Sequence, residues 1–257
     1  MIMTPPSTLR FASALTRQGD AQAAADDLSR AIREQLGPSR IDVAFLFISG
    51  QHADQAEALS QALRTALSPV TLVGCPGEGI IATGRVIESG PAATLWVAHL
   101  PGVLVQPLRL SFSSVHDQFS LRNWPDMEDA GGADQVMMLF ADPFSTPMQE
   151  VLAVIEEHYP GTRTLGGLSG GGQDLGENRL FLDEQVYTDG LVGVALSGNI
   201  AVRTVISQGC RPIGDRFIER RQAVRVGPGT DHPGAGGGCK RLDPGDMVVV
   251  MMGDEDV

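Results

Sequence analysis

The chain repeats itself once, and this duplication limits the folds open to it more than any other feature. Each copy begins with an apolar strand, "IDVAFLFISG" or "QVMMLFADP", and continues with a helical segment, a second strand and a glycine-rich loop. Val43 and Gly74 are 31 positions apart in the first copy, and Val136 and Gly166 are 30 apart in the second. A repeat of roughly 90 to 100 residues is longer than those of solenoids. The pattern predicts two similar modules packed as a pseudo-symmetric pair; chance similarity of two αβ stretches is the alternative.

Helices and strands can be read from the same pattern. Residues 20–38 predict an amphipathic helix with Asp20 as N-cap, and "ADQAEALSQALRTALSP" predicts a second. In the second copy, Thr146 and Gln149 have the spacing of a capping box that would start the third helix. Short strands separated by Gly and Pro follow each glycine loop and predict an antiparallel meander. The expected fold class is mixed αβ (α+β), with the sheets packed on each other and the helices outside.

These elements give a predicted domain organisation. Residues 1–40 are expected to be an N-terminal helical segment, and 41–130 the first αβ module. Residues 131–218 are the second module. Residues 219–257 form a tail rich in Gly, Pro and Arg, which we expect to be aberrant or disordered.

Composition narrows the classes of function. The formal net charge is −12, which repels nucleic acid and anionic lipid, so neither a nucleic acid nor a membrane is an expected partner. No apolar stretch approaches the roughly 18 residues of a membrane span, and the first twenty residues lack a secretory pattern, so we expect a cytoplasmic protein. The three cysteines and five histidines show no metal-ligand spacing, which predicts neither metal nor cofactor.

The two glycine loops, "VGCPGEG" (73–79) and "LGGLSGGG" (165–172), are the main candidates for function. Cys75 has three possible roles: a packed strand-end residue, a nucleophile, or a thiol that contacts a ligand. Its counterpart in the second copy is Gly167 or Leu168, which cannot act as a nucleophile, and no histidine has a position that marks it as the base. The sequence therefore favours the packed residue and predicts no catalytic group.

An anion site of the nucleotide-binding kind is not expected in either loop. Neither loop ends in GK[ST] or leads into a helix, as phosphate-binding loops do. Small residues nevertheless expose backbone amides and permit close approach by a ligand. A tight turn between strands is the alternative for both loops, and the acid Glu78 is either a ligand contact or an exposed turn residue.

Two further side chains are candidates for ligand binding. Asp142 ends a buried strand in "FADPFS", where it could face a ligand amine or shape the turn. Arg211 follows a long strand in "SQGCRPIG", where a guanidinium could hold a carboxylate or form a surface ion pair.

The segments "VTLVGCPGEGII", "LFADPFS", "YPGTRTLGGLSGGG", "DGLVGVALSG" and above all "SQGCRPIG" resemble the FIST sensory domain family. The resemblance covers roughly residues 41–217. It implies a non-catalytic module that senses a small ligand, amino acids among them, and passes the signal to a partner protein. No catalytic residue can be carried over. A Cys75-dependent hydrolase or transferase and a protein-binding adaptor stay open as alternatives. The resemblance makes the loop residues candidate ligand contacts by motif position: Cys75, Gly77, Glu78, Gly79, Ser169 and Gly170.

The chain departs from the family pattern after Phe217. Family members continue into a further C-terminal αβ region, whereas here Gly, Pro and Arg accumulate and the only lysine appears at Lys240. We expect an altered reading frame, a truncation or a diverged tail. A pocket shared with the absent region would then be incomplete.

Overall fold

The computed structural model of the protein describes residues 8–82, 84–115, 118–122 and 135–203. These residues form three α-helices, one 3-10 helix and thirteen strands. The helices are α1 (Ala21–Leu36), α2 (Ala56–Leu67) and α3 (Met148–His158), and the 3-10 helix is Gly50–Gln55. The strands are β1 (Arg10–Thr16), β2 (Val43–Ser49), β3 (Thr71–Gly77), β4 (Ile80–Ala82), β5 (Arg85–Ile87), β6 (Ala93–His99), β7 (Val103–Val115), β8 (Gln118–Arg122), β9 (Val136–Ala141), β10 (Arg163–Leu168), β11 (Leu180–Leu182), β12 (Gln185–Tyr187) and β13 (Leu191–Gly198).

The strands form two large sheets with matching topology. The first sheet has the order β1-β6-β2-β3-β11-β12, and the second has the order β10-β9-β13-β7-β8. In both, a parallel pair (β2 and β3, or β9 and β10) lies beside an antiparallel strand (β6 or β13), which in turn pairs with β1 or β7. This shared order confirms the mixed α+β class and the internal duplication.

The sheets pack face to face, with the helices on the two outer surfaces. In β2, Val43 and Phe45 face the second sheet, whereas Ala44, Leu46 and Ile48 face α1 and α2. This alternation is the two-residue period of a strand that is buried on both faces. α3 covers the outer face of the second sheet. The predicted arrangement of packed sheets with outer helices is therefore observed.

Helix ends match the sequence signals in one case and not in another. The Asp20 side chain accepts a hydrogen bond from the Ala23 amide at 2.9 Å and caps α1, as expected. The expected capping box at α3 is wrong, since the helix begins at Met148 and has no side-chain cap. The Thr146 hydroxyl instead donates to the Gly190 carbonyl at 2.8 Å, because a tertiary partner outcompetes the local cap.

Strand pairing crosses the predicted module boundaries. Residues 1–40 contain β1 as well as α1, and β7, within 41–130, lies in the second sheet. The hairpin β11–β12 follows the second glycine loop but extends the first sheet, where β11 pairs with β3. The strands after each loop therefore pair with distant partners as well as with chain neighbours.

The turn of this hairpin is tied to the first module. The Asp183 carboxylate accepts a hydrogen bond from the Leu72 amide at 3.0 Å and lies 3.2 Å from the Arg64 guanidinium. Burial raises the pKa of the Asp183 carboxyl above its usual value, although both of these contacts lower it. The turn is a second point at which the modules are joined.

Two predictions fall on residues that the structure does not describe. Arg211, with the "QGCRPIG" segment around it, lies outside the described residues, and so does the 219–257 tail. Within the described part of the chain, no helix combines the length and the apolar character needed to cross a membrane.

Candidate functional site

The glycine loops of the two modules touch each other at one edge of the sandwich. The Gly170 amide donates a hydrogen bond to the Pro76 carbonyl at 3.0 Å. Gly50, just past the end of β2, lies against Gly171, where an added Cβ would be 3.7 Å from the Gly171 Cα. The carboxyl ends of strands from both parallel pairs therefore meet, at the kind of edge where αβ sheets commonly bind ligands.

An open cleft of about 270 Å³ lies at this meeting point. Its walls come from the 3-10 helix after β2, the end of β3, the second glycine loop and the segment before β11. The lining residues are Gly50, Ala53, Asp54, Pro76, Gly170, Gly171, Gly172, Glu177, Asn178 and Arg179. Four of the ten are glycine, so much of the wall is bare backbone that a small molecule can approach closely.

A buried carboxylate fixes the second glycine loop. Asp142 is fully buried, and one of its oxygens accepts a hydrogen bond from the Asn178 amide at 2.8 Å. The other accepts from the Ser145 hydroxyl at 2.6 Å. The side-chain oxygen of Asn178, Oδ1, accepts in turn from the Gly172 backbone amide at 3.1 Å. Asp142 therefore acts through Asn178, which lines the cleft, and does not line the cleft itself.

The first module has a polar corner at the matching place, after β2. The Ala92 amide donates to the Ser49 hydroxyl at 3.0 Å, and that hydroxyl lies 3.4 Å from Nδ1 of the buried His52. His52 Nε2 lies 2.8 Å from the Gln18 carbonyl, which can only accept, so Nε2 donates this hydrogen bond. The histidine is thus held on both sides by structural hydrogen bonds.

The second corner repeats this arrangement with different side chains. The Asp142 amide donates to the Gly190 carbonyl at 2.8 Å, just as the Ser49 amide donates to Ala92 at 2.8 Å. The Gly190 amide donates to the Ser145 hydroxyl at 2.7 Å. Asp142 therefore lies at the position equivalent to Ser49, and Ser145 at the position equivalent to His52, so the two corners correspond to each other in the duplication.

Ser169 is buried beside this second corner. Its amide donates to the Ala141 carbonyl at 2.8 Å, which continues the β9–β10 pairing by one residue. Ser169 is only 4% exposed, and its hydroxyl has no hydrogen-bond partner among the residues that the structure describes. The hydroxyl is therefore a buried polar group left over next to the glycine loop.

Cys75 points away from the cleft. Its side chain packs in the layer between the two sheets, together with Val73 of the same strand. Burial raises the pKa of the Cys75 thiol to about 12, so the thiol stays protonated at neutral pH. The structure separates Cys75 from the other loop residues that the sequence grouped with it.

The turn after β3 packs against the second glycine loop. A Cβ added at Gly170 would lie 3.2 Å from the Glu78 amide nitrogen and 3.3 Å from its Cγ. Gly77 is part of the same contact, and Glu78 and Gly79 are exposed. Of the sequence-derived candidates, Gly170 lines the cleft. Gly77 and Glu78 lie against Gly170 and are not among the residues that line the cleft.

Two of the charged side chains at the cleft already form hydrogen bonds with nearby backbone groups. The Glu177 carboxylate accepts from the Gln173 amide at 2.7 Å, and Arg179 Nη1 donates to the Gly176 carbonyl at 2.7 Å. Asp54 is exposed and accepts no hydrogen bond from another described residue. Asp54 is therefore the carboxylate at the cleft most available to a ligand.

Sequence reasoning missed the walls that come from outside the glycine loops. Gly50, at the end of "FLFISG", carried one usable signal, since it occupies the place of Pro143 after Asp142 in the other copy. Ala53, Asp54 and Asn178 carried none, because their place in the cleft depends on the packing of one module against the other. Within the described residues, no group of three or more His, Cys, Asp or Glu side chains has the arrangement of a metal site.

The fold and site define a class: a paired αβ module with a side-chain-poor cleft at the junction of its halves. The model of the FIST N domain family matches residues 42–221. The chain belongs to the FIST N domain family, a family of sensory domains, and the resemblance seen in the sequence is confirmed.

Comparison with similar proteins shows how long these relatives are. An uncharacterized protein of Mycobacterium tuberculosis (strain H37Rv) is 33% identical over 210 residues, which are 82% of this chain and 53% of that protein. An uncharacterized protein of Mycobacterium bovis is 33% identical over 199 residues, 77% of this chain and 50% of that protein. The chain thus spans about half the length of these relatives. The solved structure of cyanuric acid hydrolase from A. caulinodans is 10% identical to this chain, and the match covers 77% of this chain and 73% of the hydrolase chain. Its TM-score of 0.34 is too low to carry any activity over.

Proposed function

We propose that the chain is a non-catalytic, cytoplasmic sensory domain that binds a small polar metabolite, such as an amino acid, in the cleft between the glycine loops. The observation that carries the proposal is the Gly170–Pro76 contact, which brings the loops of both modules to one cleft. A ligand there would touch both halves at once, so binding would bias how the modules sit against each other. That change is the signal that we propose a partner protein reads.

The chemistry of the cleft supports a small polar ligand. Its wall offers backbone from Gly170 to Gly172, and the Gly171 amide donates to no other described residue. The Gly170 and Gly172 amides are already bonded, so the Gly171 amide is the one of these three that suits a carboxylate or another anionic group. Asp54, which lines the same cleft, suits an amine. A molecule with both groups, as in an amino acid, matches these two contacts.

The non-catalytic character rests on the state of the candidate nucleophile. Cys75 is buried between the sheets, and the raised pKa of its thiol opposes the thiolate form that a nucleophile requires. Asp142 is held on both oxygens by Asn178 and Ser145, which leaves it in a supporting role.

A thermal-shift screen with the twenty amino acids and small dicarboxylates, followed by calorimetry on the hits, tests this proposal. We expect a hit to lose binding in Ala53→Phe, because the ring fills the cleft from the 3-10 helix. Gln61→Phe, which adds the same ring on an exposed position of α2, is the matched control and should bind normally. A chain stabilised by none of these compounds would favour the adaptor alternative.

A further inference from the structure

The two modules carry hairpins of the same register in very different surroundings. Ile81 pairs with Val86 in β4–β5, and Phe181 pairs with Val186 in β11–β12. Each hairpin follows the glycine loop of its own module. Phe181 is completely buried, whereas Ile81 is 55% exposed and Val86 is 62% exposed. The β11–β12 hairpin therefore buries Phe181 of this pair, whereas β4–β5 is anchored on its own module by Ile80, which is 1% exposed, and leaves its apolar cross-strand pair in solvent.

The docked hairpin shows what such a hairpin binds. β11 adds to the edge of β3, with Phe181 opposite Gly74 and Leu182 opposite Val73. Phe181 enters the layer between the first sheet and its helices, while Leu182 enters the layer between the sheets. Each face of the hairpin thus completes one apolar layer.

In the second module, no described strand covers the corresponding edge. β10 is its counterpart of β3, and among the described residues it pairs on one side only, with β9. Gly166 lies opposite Leu139 in β9, just as Gly74 lies opposite Leu46 in β2. Unpaired strand edges of this kind accept a strand from another chain.

We propose that two copies of this chain associate by hairpin exchange, with β4–β5 of each copy adding to the β10 edge of the other. The internal contact supplies the register: Ile81 lies opposite Gly166 of the partner subunit, and Ala82 lies opposite Leu165 of the partner subunit. Each copy gives one hairpin and accepts one, so the contact is two-fold and closes without forming a fibre.

A second copy is the occupant that the observations favour. One chain carries both members of the complementary pair, and the internal β11–β3 contact is the same interaction already formed once. A second copy therefore provides both the hairpin and the edge that complete this pairing.

Sedimentation equilibrium and light scattering over a wide concentration range test the proposal. We expect a dimer that the double variant Ile81→Lys, Val86→Lys converts to a monomer, with at least a tenfold weaker association constant. Both positions are exposed, so the fold should survive, as circular dichroism would check. The control is Leu104→Lys, an equally exposed leucine on β7 that is 61% exposed, and it should leave the dimer intact.

Disulfide trapping tests the register independently. In a background of Cys75→Ala, Cys210→Ala and Cys239→Ala, one preparation carries Ala82→Cys and the other Leu165→Cys. Directly paired strand positions have Cα separations that suit a disulfide. Oxidation of the mixture should give a covalent dimer on a non-reducing gel, and oxidation of either preparation alone should not. A monomer at all concentrations, or a dimer unaffected by the lysine pair, overturns the proposal.

Discussion

The Gly170 amide and the Pro76 carbonyl form a hydrogen bond of 3.0 Å that joins the glycine loops of the two modules. This bond lies at the edge where the parallel strands of both sheets end. Because Glu78 lies close to Gly170, the contact depends on the absence of a side chain at Gly170. The cleft next to it is a product of the duplication, since neither module forms it alone.

Gly170→Ala should weaken this junction. The added Cβ would lie 3.2 Å from the Glu78 amide nitrogen, so the two loops must move apart by a few tenths of an ångström. We expect a loss of about 1 kcal/mol in the free energy of unfolding, measured by urea denaturation, and weaker binding of any ligand found for the cleft. Gly19→Ala, whose Cβ would meet only ordinary contacts at 3.7 Å, is the control. Equal stability of both variants would contradict the tight junction.

Gly74→Ala and Gly166→Ala should be far more damaging. An added Cβ would lie 1.8 Å from the Leu46 carbonyl oxygen in the first case and 1.7 Å from the Leu139 carbonyl oxygen in the second. These oxygens belong to central strands and cannot move aside, so each variant should lose about 3 kcal/mol or more. Urea denaturation measures the loss. If either variant had the same urea midpoint as the native protein, the two parallel pairs would not be equivalent.

Asn178→Ala should cost about 2 kcal/mol of unfolding free energy, because it leaves one oxygen of the buried Asp142 without its donor. A double-mutant cycle with Asp142→Ala should recover much of that loss as coupling energy. Gln22→Ala removes a similar amide-to-carboxylate bond, to Asp26 on the surface of α1, and should cost less than about 0.5 kcal/mol. Similar losses at the buried and exposed sites would contradict the supporting role of Asp142.

The buried thiol predicts a pH dependence at the alkaline end. The pKa of Cys75 is 9.0 in the reference state and about 12 in the fold. Below pH 9.0 the thiol is protonated in both states and its contribution is constant; above it, the unfolded chain ionises first and the native state loses stability. The stability difference between the native protein and Cys75→Ala should therefore shrink by about 1.4 kcal/mol per pH unit between pH 9.0 and about 12. Unfolding curves from pH 8 upward measure it, and a difference independent of pH would show that the thiol is solvated.

Asp54→Asn should lower the affinity for an amine-bearing ligand about three- to tenfold without changing stability, because Asp54 is exposed at the cleft. Calorimetry on a ligand from the screen measures the change. Glu34→Gln, which removes an exposed acid on α1, controls for the general change in charge. The same loss in both variants would attribute the effect to net charge.

Sequence reasoning reached the parts of this fold that depend on local patterns. The apolar strand "VAFLFIS" and the cap at Asp20 each follow from neighbouring residues, and the structure contains both. The duplication was visible because the spacing from Val43 to Gly74 recurs in the second copy. These features need no knowledge of how distant segments meet.

The remaining features depend on distant segments. Nothing in "LFL" at Leu180–Leu182 indicates that it pairs with β3 of the other module, more than 100 positions away. The same holds for Asn178, whose role comes from reaching both Asp142 and Gly172. Thr146 had the local signal for a helix cap, but its hydroxyl bonds to Gly190 after the sheet has formed.

Titration of ¹⁵N-labelled protein with a ligand from the amino-acid screen, followed by amide NMR, tests the central claim most directly. The two-loop site predicts chemical-shift changes at Gly50, Gly170, Gly171 and Gly172. Signals of Gly37 and Gly161, which lie before the amino ends of the parallel strands, should stay unchanged. The response should be lost in Ala53→Phe. A ligand that binds while these four loop signals stay in place would contradict the claim that the joined glycine loops form the binding site.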